Sequence, residues 1–345
     1  MKTENHPNSA SPQHVSGDPI DVVIAWVDGS DPKLAEKRSR YSGSKPVPVS
    51  SGAHPTRFAS SNEIRYCVLS VLRFAPFVRK IFIVTDSQDP GLTGDLQKYF
   101  PERAGSVTVV DHREIFDGYS EYLPTFNSIS IANMIWRIKG LSEKFVYFND
   151  DIFLVRSISP AEWFVGGAPV MRGRWVPAPW PRIGWDRLRT AFKRRVAGRP
   201  DFRPRASFHL GQWNSAALLG YRLRYFTNSH TPQTFSRSLV ENYFAENDPV
   251  LRKNISYRFR DPGQFTFSSF SNHLQLLNGN RNIARPGLVY LKPENRGPGY
   301  IDSKILLCER DSSIIYMCAQ SLDMCGEHDR VRLFGWLDGR LGLEN

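Results

Sequence analysis

The chain has 345 residues, 41% of them apolar and 12% aromatic, and a formal net charge of +11. That length gives room for one large α/β domain or two smaller ones, each with a real core, and the apolar fraction is ordinary for a globular protein. No run approaches the roughly 18 apolar residues of a membrane span, and the polar N-terminus lacks a signal-type apolar stretch, so the expectation is a soluble, cytoplasmic chain with anionic partners.

Residues 1–18 read as a disordered polar tail, which leaves 19–345 as one folded unit. Asp21 to Val27 is short, continuous and β-branched, the pattern of a buried strand. It runs into Asp28-Gly29-Ser30-Asp31-Pro32, a dense turn signal. Residues 41–56 form a Ser/Pro/Gly-rich loop. Ser60 and Glu63 have capping-box spacing, and Ile64, Val68, Val71, Leu72 and Ala75 follow at helical spacing until Pro76 stops the helix. Lys80 to Thr85 is the next strand, ending at Asp86, and Val107 to Val110 is a further short one.

Phe126 to Gly140 is expected to be a helix capped by Asn127 or Ser128. Lys144 to Phe148 is a strand leading directly into Asn149-Asp150-Asp151. Strands alternating with helices predict an α/β fold with an open, mostly parallel sheet. In such sheets ligands bind beyond the carboxyl ends of the strands. Acidic turns after three strands, at Asp28/Asp31, Asp86 and Asp150/Asp151, are therefore expected to converge at one edge.

Residues 166–205 are rich in Gly, Pro, Arg and Trp and read as an insertion or lid. Segment 182–205 carries nine basic residues against Asp186 and Asp201. Within it Trp185, Leu188, Phe192 and Val196 share one face of a possible helix. That suits a peripheral membrane contact or an anionic polymer surface, and equally a solvated basic face. Residues 207–220 and 232–246 read as helical, and 300–345 as a small C-terminal element. Cys67, Cys308, Cys318 and Cys325 lack zinc-site spacing and are expected to be free thiols.

Adjacent carboxylates at a strand end, as in Asn149-Asp150-Asp151, can hold Mg²⁺ or Mn²⁺, which prefer oxygen ligands and a bound diphosphate. The same tripeptide also suits an Asx turn. Gly29 lets backbone approach a ligand, with Asp28 and Asp31 beside it, or simply completes a turn. His230, in a loop before Pro232, has the residue type of a general base, although a lone histidine is more often packed or exposed. Arg258 and Arg260 could bring a guanidinium to a phosphate. No P-loop, GxSxG or GxGxxG occurs, which removes support for ATP hydrolysis, serine hydrolysis and the usual dinucleotide fingerprint.

Together these stretches resemble a known family, the Stealth proteins. Asp21 to Asp31 is similar to its first conserved region. Arg57-Phe58, Asn62-Glu-Ile-Arg-Tyr66, Arg79 to Asp86, Leu123 to Ser128 and Phe145 to Asp151 are similar to the second. His230-Thr-Pro232 with Arg237 and Glu241 resembles the third, and Ser256 to Arg260 resembles an Arg-Phe-Arg motif that follows. Ala25 and Asn62 depart from the usual residues, and Tyr290 to Asn295 stands where the family often ends in Asn-Asp.

The resemblance implies a Rossmann-like catalytic domain that transfers a hexose 1-phosphate from a UDP-sugar to a hydroxyl of an anionic glycan acceptor, with no nucleic acid partner. It implies Asp150 and Asp151 as catalytic or metal-binding acids, His230 as the essential histidine and Arg258 or Arg260 as the phosphate-binding arginine. Trp26, Asp28, Gly29, Asp31, Arg65, Asn127 and Asn149 are the expected substrate-binding residues. A conventional glycosyltransferase releasing UDP and a non-catalytic polyanion-binding protein are the competing readings.

Overall fold

The structure is a computed structural model that describes residues 17–42, 62–199, 202, 204, 206–294 and 296–343. The expected tail up to residue 16, the loop after residue 42 and the Ser60 half of the capping box lie outside the described residues.

The centre is a five-stranded sheet. Its parallel strands are β1 (Ile20–Ala25), β2 (Val78–Thr85), β3 (Val107–Asp111) and β4 (Lys144–Asn149). The edge strand β10 (Gln233–Ser236) is followed in order by β4, β1, β2 and β3. Helices α1 (Pro32–Ser42) and α2 (Glu63–Phe74) lie between β1 and β2 in the chain, and α3 (Thr93–Tyr99) lies between β2 and β3. The chain order reverses at β1, which has β2 on one side and β4 on the other. Such a switch point opens a crevice beyond the carboxyl ends of the strands.

β1 is continuous in apolar residues because both of its faces are covered. Val22 and Ile24 pack into one core cluster with α2, and Val23 packs into the other. Asp21 is the polar exception, fully buried on β1. Its carboxylate accepts from Arg79 Nε at 2.9 Å and from the Ser142 amide at 2.7 Å, locking the amino end of the sheet.

The helix expected over 126–140 is broken into α5 (Ser128–Ala132) and a 3-10 turn at Ile135–Arg137, downstream of the short α4 (His112–Ile115). Asn127 caps α5 as anticipated, accepting from the Ile129 amide at 3.1 Å. Asn133 interrupts the run. Its side chain donates back to the Ile129 carbonyl at 2.8 Å, and its own carbonyl accepts from Trp136 Nε1 at 2.9 Å. A short amide side chain competing for backbone groups in this way ends a helix.

Beyond β4 come β5 (Ile152–Leu154), the small β6–β7 hairpin (Phe164–Val165, Ala168–Pro169), β8 (Met171–Pro177), α6 (Trp180–Arg195), α7 (Phe208–Leu218) and β9 (Arg224–Asn228). The helix expected from 232 starts late: Gln233–Ser236 is β10, antiparallel to β4, and α8 occupies Arg237–Glu246. Then follow α9 (Asp248–Ile255), α10 (Phe267–Leu277), β11 (Ile283–Ala284), β12 (Leu288–Leu291), α11 (Tyr300–Arg310), β13 (Tyr316–Ala319) and α12 (Glu327–Leu341).

The C-terminal part is not a small appendage. β13 pairs with β12 and β5, and Leu333, Leu337 and Leu341 of α12 share the α2 core cluster. The four cysteines are free, as expected, and all are buried. Among the described residues no helix is long and apolar enough to cross a membrane.

Candidate active site at the sheet switch point

Asp150 and Asp151 form the turn between β4 and β5. β4 delivers them beside β1, since Ala25 is level with Asn149. β5 then pairs antiparallel with β13, and the Ala319 amide donates to the Asp151 carbonyl at 2.8 Å. The turn is therefore held from both sides by strands that are distant in sequence.

Burial pushes the Asp150 carboxyl well above the usual carboxylate range, reinforced by Asp151 and Glu63. Burial and Glu63 raise Asp151 to about 6. Oδ1 of Asp151 is buried and accepts no hydrogen bond. Two mutually repelling carboxylates with an orphaned oxygen are a donor set that suits a hard cation. Among the described residues no group of three or more His, Cys, Asp or Glu side chains forms a complete metal cage. A hard cation held by these two acids would have to complete its shell with other oxygen ligands, the usual habit of Mg²⁺.

These acids open into a cleft of about 1080 Å³, on whose wall Trp26, Asn149, His230 and Arg260 also stand. Topology explains His230. β10 runs antiparallel to β4, with Gln233 opposite Tyr147, so the residues just before β10 lie at the end where β4 exits. The imidazole stacks on Phe208 with centroids 4.9 Å apart and tilts against Tyr290 at 5.3 Å. Burial, helped by His209, lowers its pKa and favours the neutral ring. The Tyr290 hydroxyl donates to Gln320 Oε1, and Gln320 also acts on the Asp151 carboxylate, so one wall links the histidine to the acids. Arg260 Nη2 donates to Ser128 Oγ at 2.6 Å on the cleft rim. Trp26 is nearly buried, with Nε1 unpartnered.

The remaining expected residues stand back from this cleft. Arg258 Nη1 donates to the Pro124 carbonyl at 2.7 Å, and its guanidinium lies 4.6 Å from the Tyr41 ring centre. Asn127 is buried, capping α5 and donating to Gln264 Oε1 at 2.8 Å. Arg65 makes a bidentate pair with Asp95 at 2.8 Å and reaches Asp338 at 3.3 Å, joining α2 to α3 and α12. Asp28 accepts from the Ser30 amide at 2.9 Å, with Gly29 inside that turn. Asp31 accepts from the Lys33 amide at 2.8 Å and from Gln88 Nε2 at 2.9 Å; these bonds lower its pKa, Gln88 foremost. The Gln88 amide also clasps the Asp28 backbone in both directions at 2.9 Å. Asp28, Gly29 and Asp31 thus shape the loop behind Trp26.

Several cleft residues had no local signal in the sequence. Glu63 reads as a helix-capping acid, yet it is buried and faces the aspartates. Gln320 arrives only through β13. His112 opens α4 after β3, lines the cleft near Asp86, and keeps a buried, unpartnered Nε2.

Comparison with known proteins agrees with the sequence resemblance. The pattern described as Stealth protein CR1, conserved region 1, matches residues 18–46, and Stealth protein CR2, conserved region 2, matches residues 57–169. The chain is 34% identical over 256 residues to exopolysaccharide phosphotransferase SCO6023 of Streptomyces coelicolor, covering 74% of this chain and 39% of that protein. It is 28% identical over 298 residues to capsular polysaccharide phosphotransferase WcwK of Streptococcus pneumoniae, covering 81% of this chain and 85% of that protein. Thus the chain spans about two fifths of the Streptomyces relative and most of the streptococcal one. Among solved structures, mouse xyloside xylosyltransferase 1 in its apo form aligns with a TM-score of 0.40 and 11% identity over 87% of this chain and 97% of that one. With two conserved regions matched in order, and β1, β4 and the Asp150-Asp151 turn inside them, the chain belongs to the Stealth family.

Proposed function

We propose that this chain moves a hexose 1-phosphate from a UDP-sugar to a hydroxyl of a glycan acceptor, releasing UMP, in the synthesis of a capsular or cell-wall polysaccharide. The printed names of the relatives, exopolysaccharide and capsular polysaccharide phosphotransferases, support the reaction class. The observation that carries the reading is a single cleft lined by Asp150, Asp151, His230 and Arg260.

In this reading the acceptor oxygen attacks the phosphorus next to the sugar. The bond from that phosphorus to the UMP oxygen breaks, and UMP leaves. The sugar C1–O bond stays intact, so anomeric configuration is retained. His230, neutral because it is half-buried, takes the acceptor proton on a ring nitrogen. The Arg260 guanidinium, fixed on Ser128, faces the transferred phosphate with planar donors suited to its oxygens. Trp26 offers its ring and free Nε1 to the donor, and the Asp28-Gly29-Asp31 loop supports it from behind. Mg²⁺ or Mn²⁺ on Asp150 and Asp151 would neutralise charge on the diphosphate.

The test is to incubate the protein with a panel of UDP-sugars and Mg²⁺ or Mn²⁺, with and without capsular oligosaccharide primers, and to identify the released nucleotide. UMP, lost on adding a chelator, is the expected product. Release of UDP would make the enzyme a conventional glycosyltransferase and overturn the reading.

A further inference from the structure

Helix α6 departs from the usual amphipathic arrangement. None of its residues is buried, and its half-buried side consists of Ile183, Asp186, Thr190 and Lys193. Its apolar stripe points the other way. Trp185 is 67% exposed, Leu188 69%, Phe192 56% and the adjoining Val196 69%. Spacings of three and four residues keep these side chains in line along the helix. The first turn is anchored by Trp180 against Trp213 at 5.2 Å and by Trp180 Nε1 donating to the Arg222 carbonyl at 3.1 Å; further along, Arg194 Nε donates to the Phe202 carbonyl at 2.9 Å and Arg189 lies 5.7 Å from the Phe202 ring centre.

The charges complete the pattern. The helix carries six Arg or Lys residues against the single acid Asp186. At about 100° per residue, Arg182 and Arg189 border one side of the stripe and Arg195 the other. A helix with an apolar ridge between basic borders is built to lie in the interface of a bilayer, its ridge among the acyl chains and its guanidinium groups at lipid phosphates. A soluble anionic polymer would use the charges and leave the ridge in water. A second copy of this chain would bring basic border against basic border.

We propose that α6 is a docking element for an anionic lipid surface, with Trp185, Leu188, Phe192 and Val196 inserted and Arg182, Arg189 and Arg195 engaging phosphate headgroups. The chain passes from α6 towards Ala206, Ser207 and Phe208, which line the catalytic cleft. Docking therefore tethers the cleft to the membrane surface, where a lipid-linked or membrane-proximal acceptor is concentrated. The inference does not depend on which reaction the cleft performs.

The experiment is flotation of the purified protein with vesicles of phosphatidylcholine alone or mixed with phosphatidylglycerol. Flotation with the mixed vesicles only, weakening as salt is raised, is expected. The triple change Trp185→Ser, Leu188→Ser, Phe192→Ser is expected to lower partitioning about tenfold or more, with thermal unfolding unchanged because these side chains are already exposed. Arg189→Glu with Arg195→Glu is expected to do the same without touching the ridge. Failure of the wild type to float with anionic vesicles would overturn the proposal, as would undiminished flotation of both variants. Light scattering that shows a dimer dissolved by the triple change would reassign the stripe to self-association. Dextran sulfate binding that strips the protein from vesicles and survives the triple change would reassign the helix to soluble polyanions.

Discussion

Asp150 and Asp151 carry their raised pKa values because burial and the neighbouring Glu63 disfavour a second and third negative charge. An acid whose folded pKa is raised contributes stability that is complete below its unfolded pKa and is lost as pH rises through the folded value. For Asp151 that window runs from the ordinary value of 3.8 to about 6. A shift of that size, discounted for the partial exposure of the turn, is worth about 1–2 kcal/mol. Asp151→Asn in the metal-free protein is therefore expected to raise unfolding free energy by about 1–2 kcal/mol at pH 8 and to leave it unchanged near pH 4, while transfer activity disappears. Urea titrations of both proteins in chelator at the two pH values measure this directly. His230 obeys a different logic, since its ring packs on Phe208 and Tyr290 without structural hydrogen bonds among those described. His230→Gln is expected to lower kcat by about 10²–10⁴-fold, with little change in donor affinity or Tm. Isothermal titration with a UDP-sugar, alongside kinetics, separates the two effects.

At the scale of elements, the sequence was most legible where one segment meets one demand. β1, β2 and β4 are buried on both faces, so their continuous apolar runs could be read directly, and the acids at their exits followed from the turns. Legibility failed where a distant partner decides. Gln233–Ser236 is only four residues long and directly precedes α8, so its strand state depends on β4. Asn133 breaks the expected helix through two local hydrogen bonds that no periodicity signals. Arg65 lies in a family motif and was expected at the substrate, yet it pairs with Asp95 and Asp338, 30 and 273 residues away in sequence. Arg65→Ala takes the guanidinium from Asp95 and leaves Asp338 held by the Tyr66 hydroxyl, and is expected to destabilise the fold by about 1–3 kcal/mol with KM for the donor unchanged. Arg65→Lys should recover little, because a lysine cannot reproduce the bidentate fork. A KM shift of tenfold or more without destabilisation would return Arg65 to the substrate site.

Across the whole molecule, two main core clusters pack on the sheet, and two buried histidines, His112 after β3 and His273 on α10, stand at joins between elements. His112 sits where β3 meets the cleft; burial depresses it to about 4 against the pull of Asp86 and Asp111. His273 of α10 is depressed to about 4 by burial as well. The His273 geometry explains why protonation is costly there. Nδ1 lies 2.6 Å from the Ser269 carbonyl and must donate, so Nε2 is the acceptor of the Phe226 amide at 2.9 Å. A second proton would abolish that acceptor and strip β9 of its tie to α10. A histidine with a depressed folded pKa contributes stability that is complete above the unfolded pKa near 6.5 and is lost as pH falls through about 4. Each shift is worth about 3 kcal/mol, a large part of ordinary domain stability. The contribution of these two histidines is therefore expected to be constant from pH 8 to 6.5 and to fall by several kcal/mol by pH 4, offset in part by the raised acids of the β4–β5 turn, which add stability as pH falls. His273→Gln keeps a carbonyl oxygen that can accept from Phe226 and cannot titrate. It is expected to be somewhat less stable than wild type at pH 7.5 and to show a shallower loss on acidification, so that the two curves converge or cross below pH 5. Urea unfolding at half-unit pH steps gives both curves, and parallel curves would mean that the acid sensitivity resides elsewhere.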